Sequence, residues 1–291
     1  MKIALNGRPL TNSTKPAIQA LLGELARRGA EVQIYEDYQK NISELGIIHP
    51  FTSTYNSRNN LFDADFVFSI GGDGTLLETV TQVGERNIPI AGVNTGRLGF
   101  LATINPDEIA QTFDWLENNQ YSLDERVLLH VENDRDVFEG INFGLNDFVV
   151  TKTDRSSMIV VHTWLDGEFL NSYWADGLVI STPTGSTGYC LSVGGPVVLP
   201  HTNNFIIAPI SPHNLNVRPI VVNDSSRIEI SVESRSKNCL VSLDSRSKVV
   251  DDSIRFCVRK EKFAAQLIKI KGDTFLETLR SKLNWGLDIR N

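Results

Sequence analysis

The chain has 291 residues, of which 41% are hydrophobic and 22% charged, and its formal net charge is −7 at pH 7. This composition is typical of a globular protein and excludes wholesale disorder, and the length allows two domains of ordinary size. The negative charge argues against a broad surface for nucleic acid. Small anionic ligands stay possible, because main-chain N–H groups can bind them.

The first third of the chain alternates short apolar runs with segments of helical periodicity. This pattern predicts a Rossmann-like α/β domain, in which helices pack on the faces of a sheet. Strands are predicted at 2–6, 30–35, 64–70 and 88–94, and helices at 16–29, 75–87 and 106–119.

After Tyr121 the pattern changes to closely spaced strands separated by Gly, Pro, Asn, Asp and Ser, which is typical of an antiparallel β domain. Helical periodicity returns at 273–285, with Asp273 or Thr274 as the N-cap. We expect this last helix to pack on the first domain. The predicted domains are therefore 1–120, completed by 271–291, and 121–270, with β strands at 126–133, 137–152, 157–174, 177–182, 204–210, 218–224, 227–233, 239–244 and 253–259.

Membrane and disulfide signals are both weak. No stretch approaches the roughly 20 apolar residues that span a bilayer, and the first ten residues lack the apolar core of a signal peptide. Cys190, Cys239 and Cys257 are far apart and show no metal-type pairing. We expect a cytoplasmic protein without a disulfide framework, a membrane partner or a nucleic-acid partner.

A glycine-rich turn, GGDGT, follows the third predicted strand and opens a helix. Gly71, Gly72, Gly74 and Thr75 surround Asp73, so several main-chain N–H groups can converge on one phosphate at the start of the helix. The sequence matches neither the Walker pattern nor the dinucleotide pattern G-x-G-x-x-G. An ordinary turn is the alternative interpretation.

If the glycines hold phosphates, Asp73 lies beside the group that is transferred. A carboxylate is a weak base for an alcohol, so we expect Asp73 to orient an attacking hydroxyl and to take its proton late, in a loose phosphoryl-transfer transition state. Mg²⁺ would neutralise the phosphates with few protein ligands.

Two further segments predict polar-ligand contacts. The stretch 175–196 is dominated by hydroxyl-bearing and small residues. It is therefore expected to expose many hydrogen-bonding groups to a flat polar ligand. The alternative is a hairpin turn that carries extra polar residues. Asn146 and Asp147 interrupt an apolar strand and suit ribose hydroxyls or an adenine amino group. A turn at the end of a strand would also explain that pair.

These segments together resemble the NAD kinase family. The motifs GGDGT, NTGRLGFLA, LNDFVV, DGLVISTPTGSTGY, LSVGGPVV and SPHNLNVRP occur in the family's order within residues 65–219. The first motif is shared with lipid kinases and phosphofructokinases, whereas the hydroxyl-rich loop is far more specific. The resemblance implies transfer of the γ-phosphate of ATP to the 2′-hydroxyl of the adenosine ribose of NAD, which gives NADP.

The resemblance also implies an architecture and an assembly. The family combines an α/β domain with a β-sandwich-like domain, and its last helix returns to the first domain. Its site lies between the two domains and across subunits of a homotetramer or homodimer. Some members use polyphosphate in place of ATP as the phosphoryl donor, and the sequence does not choose between the two.

Site residues are carried over from the family position by position. Asp73 matches the catalytic acceptor, Phe100 the residue on the adenine side, and Asn146 with Asp147 the pair that holds the adenosine. Asp176 and Gly188 match positions near the nicotinamide carboxamide. The remaining predicted dinucleotide contacts are Thr184, Thr187, Tyr189, Ser192 and, as a phosphate partner, Arg97.

The chain departs from the family pattern at several positions. Asp147 stands where the family often has glutamate, and Asp244–Ser245 replaces a frequent Asp-Gly turn, which puts a ligand role for that turn in doubt. Arg97 occupies a variable position and is equally well explained as a solvated arginine. Without the family, Asp176 would be a turn residue and Tyr189 a core residue.

Two other functions compete with the NAD kinase hypothesis. A lipid kinase of the diacylglycerol or sphingosine type shares the glycine-aspartate turn, but it would need an apolar pocket where this chain has hydroxyls. A dinucleotide sensor without catalysis would use the same loops, and retention of Asp73 argues against it.

Overall fold

A computed structural model of the chain describes residues 1–8, 11–96, 99–153, 157–270 and 274–285. The chain divides into two compact units, one of residues 1–125 and 265–291 and the other of residues 126–264. The sequence predicted the changes of domain at 120/121 and 270/271. No helix among the described residues is long and apolar enough to cross a membrane.

The first unit is a parallel sheet with helices. The strands and helices in chain order are β1 (Lys2–Gly7), α1 (Lys15–Arg27), β2 (Glu31–Tyr35), α2 (Glu36–Glu44), β3 (Ser53–Tyr55), β4 (Phe66–Gly71), α3 (Asp73–Val83), β5 (Ile90–Asn94) and α4 (Ile109–Glu117). The strand order is β5-β4-β1-β2-β3, and every pair is parallel.

Burial explains why these segments form. The β4 residues 66–70 are all buried, as expected for a strand covered on both faces. Helix α1 buries Ile18, Leu21, Leu22 and Leu25, whose spacing places them on one face. The carboxyl ends of β1, β4 and β5 lie side by side, because Gly7 pairs with Ile70 and Gly71 pairs with Asn94.

The second unit is built from antiparallel strands in two layers. Two of its strands extend into the first unit, since β6 begins there and β17 ends there. The elements are β6 (Tyr121–Asn133), β7 (Phe143–Gly144), β8 (Asp147–Lys152), β9 (Ile159–Leu165), β10 (Glu168–Ala175), β11 (Gly177–Ser181), α5 (Tyr189–Ser192), β12 (Asn204–Ile210), β13 (Ile220–Asn223), β14 (Ile228–Glu233), β15 (Asn238–Leu243), β16 (Arg246–Asp251) and β17 (Arg255–Ile270). One layer has the order β13-β12-β11-β8-β15-β16. The other contains β10, β9, β14 and the first part of β17.

Large apolar side chains join the two layers into one core. Phe148 of β8 and Phe256 of β17 lie with ring centroids 5.1 Å apart, and both belong to one buried cluster with Val161 and Ile228. The predicted α/β plus β-sandwich-like fold class is confirmed.

The first unit also includes the end of the chain. The last part of β17 pairs in parallel with β5, where Leu267 lies opposite Ile90. Helix α6 (Phe275–Leu283) begins with Thr274, whose hydroxyl accepts a hydrogen bond from the Glu277 N–H at 3.2 Å. The return of this helix to the first unit is confirmed, and the alternative cap, Asp273, lies outside the described residues.

Candidate active site

The GGDGT turn joins β4 to α3 in the first unit. Gly72 is the N-cap and Asp73 is the first helical residue. A Cβ atom on Gly71 would lie 2.2 Å from the hydroxyl oxygen of Thr75, so only glycine fits there. Gly74 is exposed, while Thr75 is only 3% exposed. The Thr75 N–H donates to the Gly72 carbonyl at 3.1 Å, whereas the N–H groups that precede it at the start of a helix have no acceptor within the helix and suit an anion.

The Asp73 carboxylate is held by three consecutive main-chain N–H groups. Phe100 donates to Oδ2 at 2.8 Å, and Leu101 and Ala102 donate to Oδ1 at 3.0 and 3.1 Å. An ionised carboxylate has about four acceptor positions on its two oxygens. One acceptor position on Oδ2 therefore remains for a ligand hydroxyl.

The loop that binds Asp73 has a steric requirement at Gly99. A Cβ atom there would lie 1.9 Å from Oδ1 of Asp73. The Phe100 ring lies 6.2 Å from that of Phe275 and within 5.9 Å of the Lys282 ammonium, so α6 contacts one of its faces. Contact of Phe100 with adenine stays a prediction, and Arg97 lies outside the described residues.

Asn146 and Asp147 lie at the start of β8 in the second unit. The Asn146 carbonyl accepts hydrogen bonds from the Thr182 N–H at 2.9 Å and from the Ser181 hydroxyl at 3.3 Å. Its side-chain oxygen Oδ1 is buried and has no hydrogen-bond partner among the described residues. A buried acceptor without a donor is costly, and Asn146 Oδ1 is one of nine buried side-chain atoms without a hydrogen-bond partner among the described residues.

Asp147 is a buried carboxyl group, with the residue only 6% exposed. Burial and, secondarily, the negative charge of Asp244 raise the pKa of Asp147 to about 7. Near neutral pH this carboxyl group therefore exists in both protonation states, and its protonated form can donate as well as accept a hydrogen bond.

The hydroxyl-rich loop differs from its sequence prediction. Most of its hydroxyls do not face solvent, because they bond within the protein. Thr182 donates to the Leu145 carbonyl at 2.5 Å, Thr187 donates to the Thr184 carbonyl at 3.3 Å, and Ser186 both donates to and accepts from the main chain of Val198. The hydroxyls chiefly fix the shape of the loop.

Close packing explains the glycines of this loop. A Cβ atom on Gly185 would lie 2.2 Å from the Asn146 carbonyl oxygen, so the loop and the start of β8 touch main chain to main chain. Thr184 is 5% exposed and its hydroxyl accepts a hydrogen bond from buried Arg126 at 3.2 Å. The loop passes through a short 3₁₀ turn at Thr184–Thr187 before α5.

The exposed end of the loop lies at α5. Tyr189 is 43% exposed, which rules out the alternative that it is a core residue. Ser192 is exposed, and Thr187 and Gly188 are partly exposed. These four residues are therefore accessible to a ligand, and their predicted contacts with it stay predictions.

Asp176 lies between β10 and β11, as expected for a turn residue. Its carboxylate forms an ion pair with Lys152 at 2.6 Å. The main-chain groups of the two residues are also hydrogen-bonded, because the Lys152 N–H donates to the Asp176 carbonyl at 3.0 Å. Any approach of Asp176 to a carboxamide stays a prediction.

The described side chains form no preformed cage for a metal ion. In these ranges, no group of three or more His, Cys, Asp or Glu side chains is placed to hold a metal ion. Mg²⁺ usually keeps several waters and binds through one or two carboxylates and the phosphates of a substrate.

Two contacts of this arrangement were not predicted from the sequence. Gly99 is part of a quoted motif, but its contact with Asp73 depends on folding across 25 intervening positions. Asp244 accepts three main-chain hydrogen bonds from Leu145, Asn146 and Asp147, about 100 residues earlier in the chain. Local patterns do not carry such information.

Comparison with known proteins covers both units. The family model of the ATP-NAD kinase N-terminal domain matches residues 15–121, and that of the ATP-NAD kinase C-terminal domain matches residues 145–270. The chain is 51% identical over 292 residues to the NAD kinase of Cytophaga hutchinsonii and 42% identical over 294 residues to that of Flavobacterium psychrophilum. Each comparison covers the full length of this chain and of the relative.

Solved structures show the same fold. The crystal structure of yeast NADH kinase complexed with NADH superposes with a TM-score of 0.89 at 24% identity, covering 100% of this chain and 89% of that one. An NAD kinase from Archaeoglobus fulgidus in complex with ATP gives a TM-score of 0.76 at 26% identity, covering 98% and 99%.

The matches over both units define a phosphotransferase with an alcohol group as acceptor. The chain belongs to the NAD kinase family.

Proposed function

We propose that this chain transfers the γ-phosphate of ATP to the 2′-hydroxyl of the adenosine ribose of NAD, giving NADP. The observation that carries the proposal is the Asp73 carboxylate at the start of α3, which three N–H groups of the loop after β5 fix so that one acceptor position is left on Oδ2. Full-length similarity to NAD kinases supports the reaction class.

In this proposal the first unit holds ATP. The N–H groups at Gly72, Asp73 and Gly74 bind phosphate oxygens at the positive end of α3. The close contact between Gly71 and Thr75 fixes the turn, so Thr75 acts through the main chain rather than through its buried hydroxyl. Mg²⁺ carried by ATP would neutralise the charge that develops on the phosphates.

Asp73 orients the ribose hydroxyl. Because its other acceptor positions are filled by Phe100, Leu101 and Ala102, the carboxylate cannot rotate freely and presents Oδ2 in one direction. The hydroxyl proton passes to Oδ2 late, after the bond from phosphorus to the leaving oxygen has lengthened.

The second unit holds NAD. The unpartnered Oδ1 of Asn146 accepts a hydrogen bond from the adenine amino group or from a ribose hydroxyl, and Asp147 binds the adenosine beside it. The other proposed dinucleotide contacts are the accessible Thr187, Gly188, Tyr189 and Ser192, together with Thr184, Asp176, Phe100 and Arg97.

We also propose the assembly that the family resemblance implies and the compartment that the sequence pattern predicts. A homotetramer or homodimer would be measured by light scattering of the purified chain. The cytoplasm is proposed because Cys190, Cys239 and Cys257 are all free thiols.

Purified protein mixed with ATP, Mg²⁺ and NAD is expected to form NADP. Asp73→Asn is expected to lower kcat by roughly 100-fold or more, because an amide cannot take the hydroxyl proton, and to leave NAD binding measurable by calorimetry. The matched control is Asp63→Asn, whose side chain is 99% exposed and which should keep full activity. Binding of NAD without turnover by the unaltered protein would favour a sensor instead.

A further inference from the structure

Asp244 lies in the two-residue turn between β15 and β16, directly against the start of β8. Its Oδ2 accepts from the Leu145 N–H at 2.8 Å, and its Oδ1 accepts from the N–H groups of Asn146 at 2.8 Å and Asp147 at 3.2 Å. The main chain of this turn is also hydrogen-bonded to β8, because the Asp244 N–H donates to the Asp147 carbonyl at 2.9 Å.

The turn is shaped for this contact. Asp244 has a φ of +51°, in the left-handed region that glycine, asparagine and aspartate adopt more readily than other residues. Gly144 packs beside it, since a Cβ atom there would lie 3.1 Å from Oδ1 of Asp244. This turn places one carboxylate on three successive N–H groups and so holds the main chain of residues 145–147.

The charged and titratable groups around Asp147 are few. Asp244 faces it from the β15–β16 turn, and the Cys190 thiol faces it from α5, where burial raises the pKa of that thiol to about 11. Burial raises the pKa of Asp244, although the three N–H groups and Arg246 oppose this. Arg246 itself donates to the Phe143 carbonyl at 2.5 Å and to the Ile141 carbonyl.

We infer that Asp244 is a positioning residue for NAD, which fixes the main chain of Asn146 and Asp147 and sets the charge that Asp147 presents to the adenosine. This inference rests on the proposed role of that pair in NAD binding. Asp244 acts through its neighbours, because its carboxylate is occupied by the N–H groups of 145–147.

The exchange Asp244→Asn tests the inference. An asparagine side chain directs an NH₂ group at main-chain N–H donors, so we expect the KM for NAD to rise roughly tenfold while the KM for ATP stays within about twofold. Ser245→Ala is the matched control in the same turn, because Ser245 is exposed, and it should leave both constants unchanged.

The pH dependence of the KM for NAD separates positioning from simple structural support. Removing the Asp244 charge lowers the pKa of Asp147. The midpoint of the pH dependence of the KM for NAD should therefore move to a lower pH in Asp244→Asn. An unchanged midpoint together with an unchanged KM for NAD would overturn the inference, as would an equal rise in the KM for ATP.

Two further variants keep the outcomes distinct. If Asp244→Asn does not fold, Asp244→Glu keeps the charge on a longer side chain and should still raise the KM for NAD alone; an unchanged KM would overturn the inference. Asp147→Asn tests the pair itself. If that exchange leaves NAD binding intact, the proposed binding role of the pair fails, independently of the result for Asp244→Asn.

Discussion

Two aspartates, one in each unit, are held in the same way. Asp73 and Asp244 each accept three consecutive main-chain N–H groups, two on Oδ1 and one on Oδ2. Such bonds to a charged group are among the stronger ones in proteins, so each carboxylate fixes a loop as well as being fixed by it. The two residues differ in their proposed roles, since Asp73 meets the substrate and Asp244 acts through Asn146 and Asp147.

Asp147 makes stability depend on pH in a definite direction. Its pKa in the folded chain, about 7, lies above the ordinary value of 3.8, so the folded state keeps a proton that the unfolded state has lost between these values. The free energy of unfolding therefore falls as pH rises towards 7. An asparagine at position 147 binds no such proton, so the free energy of unfolding of Asp147→Asn does not fall for this reason.

The Tm of Asp147→Asn minus the Tm of the unaltered protein should therefore increase by about 3 °C when the pH is raised from 5 to 8. Thermal melts at closely spaced pH values measure it. The exposed exchange Asp63→Asn should show no such trend, and a difference for Asp147→Asn that stays flat over the same range would mean that the carboxyl group ionises normally.

At the scale of elements, the loop after β5 and the first turn of α3 depend on each other. The loop donates its N–H groups at Phe100–Ala102 to Asp73, and Gly99 is packed directly against the carboxylate. Neither segment can move without breaking these contacts. The direction of Oδ2 is therefore a property of both elements together.

Gly99→Ala is expected to push the carboxylate of Asp73 out of place and to lower kcat at least tenfold, because misplacing a reacting group by about 1 Å can cost roughly 100-fold in rate. Gly96→Ala in the same loop is the matched control, since a Cβ atom there meets nothing within 4 Å. Steady-state kinetics and a Tm measurement on both variants check the claim. Equal activities would show that the contact of Gly99 with Asp73 is not needed.

Elements were predictable from sequence where periodicity is strong. The junction of β4 and α3 was predicted because an apolar run of strand length meets glycines and then a helical pattern. Helix α2 was missed because its nine residues, EDYQKNISE, bury only Tyr38 and Ile42. The second half of β17 was missed because charged residues interrupt its alternation at 259–262.

For the whole molecule, the fold class and the order of the motifs followed from the sequence, whereas the contacts that position the site did not. The change of unit at 264/265 lies within β17, one continuous strand, so no turn signal marks it. The contacts of Asp244 with 145–147 and of Asp73 with 100–102 join distant segments, and only the folded chain brings them together.

The central claim is that one phosphate passes from ATP to a particular hydroxyl of NAD. Phosphorus NMR of the product formed from ATP, Mg²⁺ and NAD tests it most directly. We expect one new phosphate monoester, coupled to the H2′ proton of the adenosine ribose, and ADP in equal amount. A protein that binds both ATP and NAD and yields no such signal, or a phosphate coupled to any other proton, would contradict it.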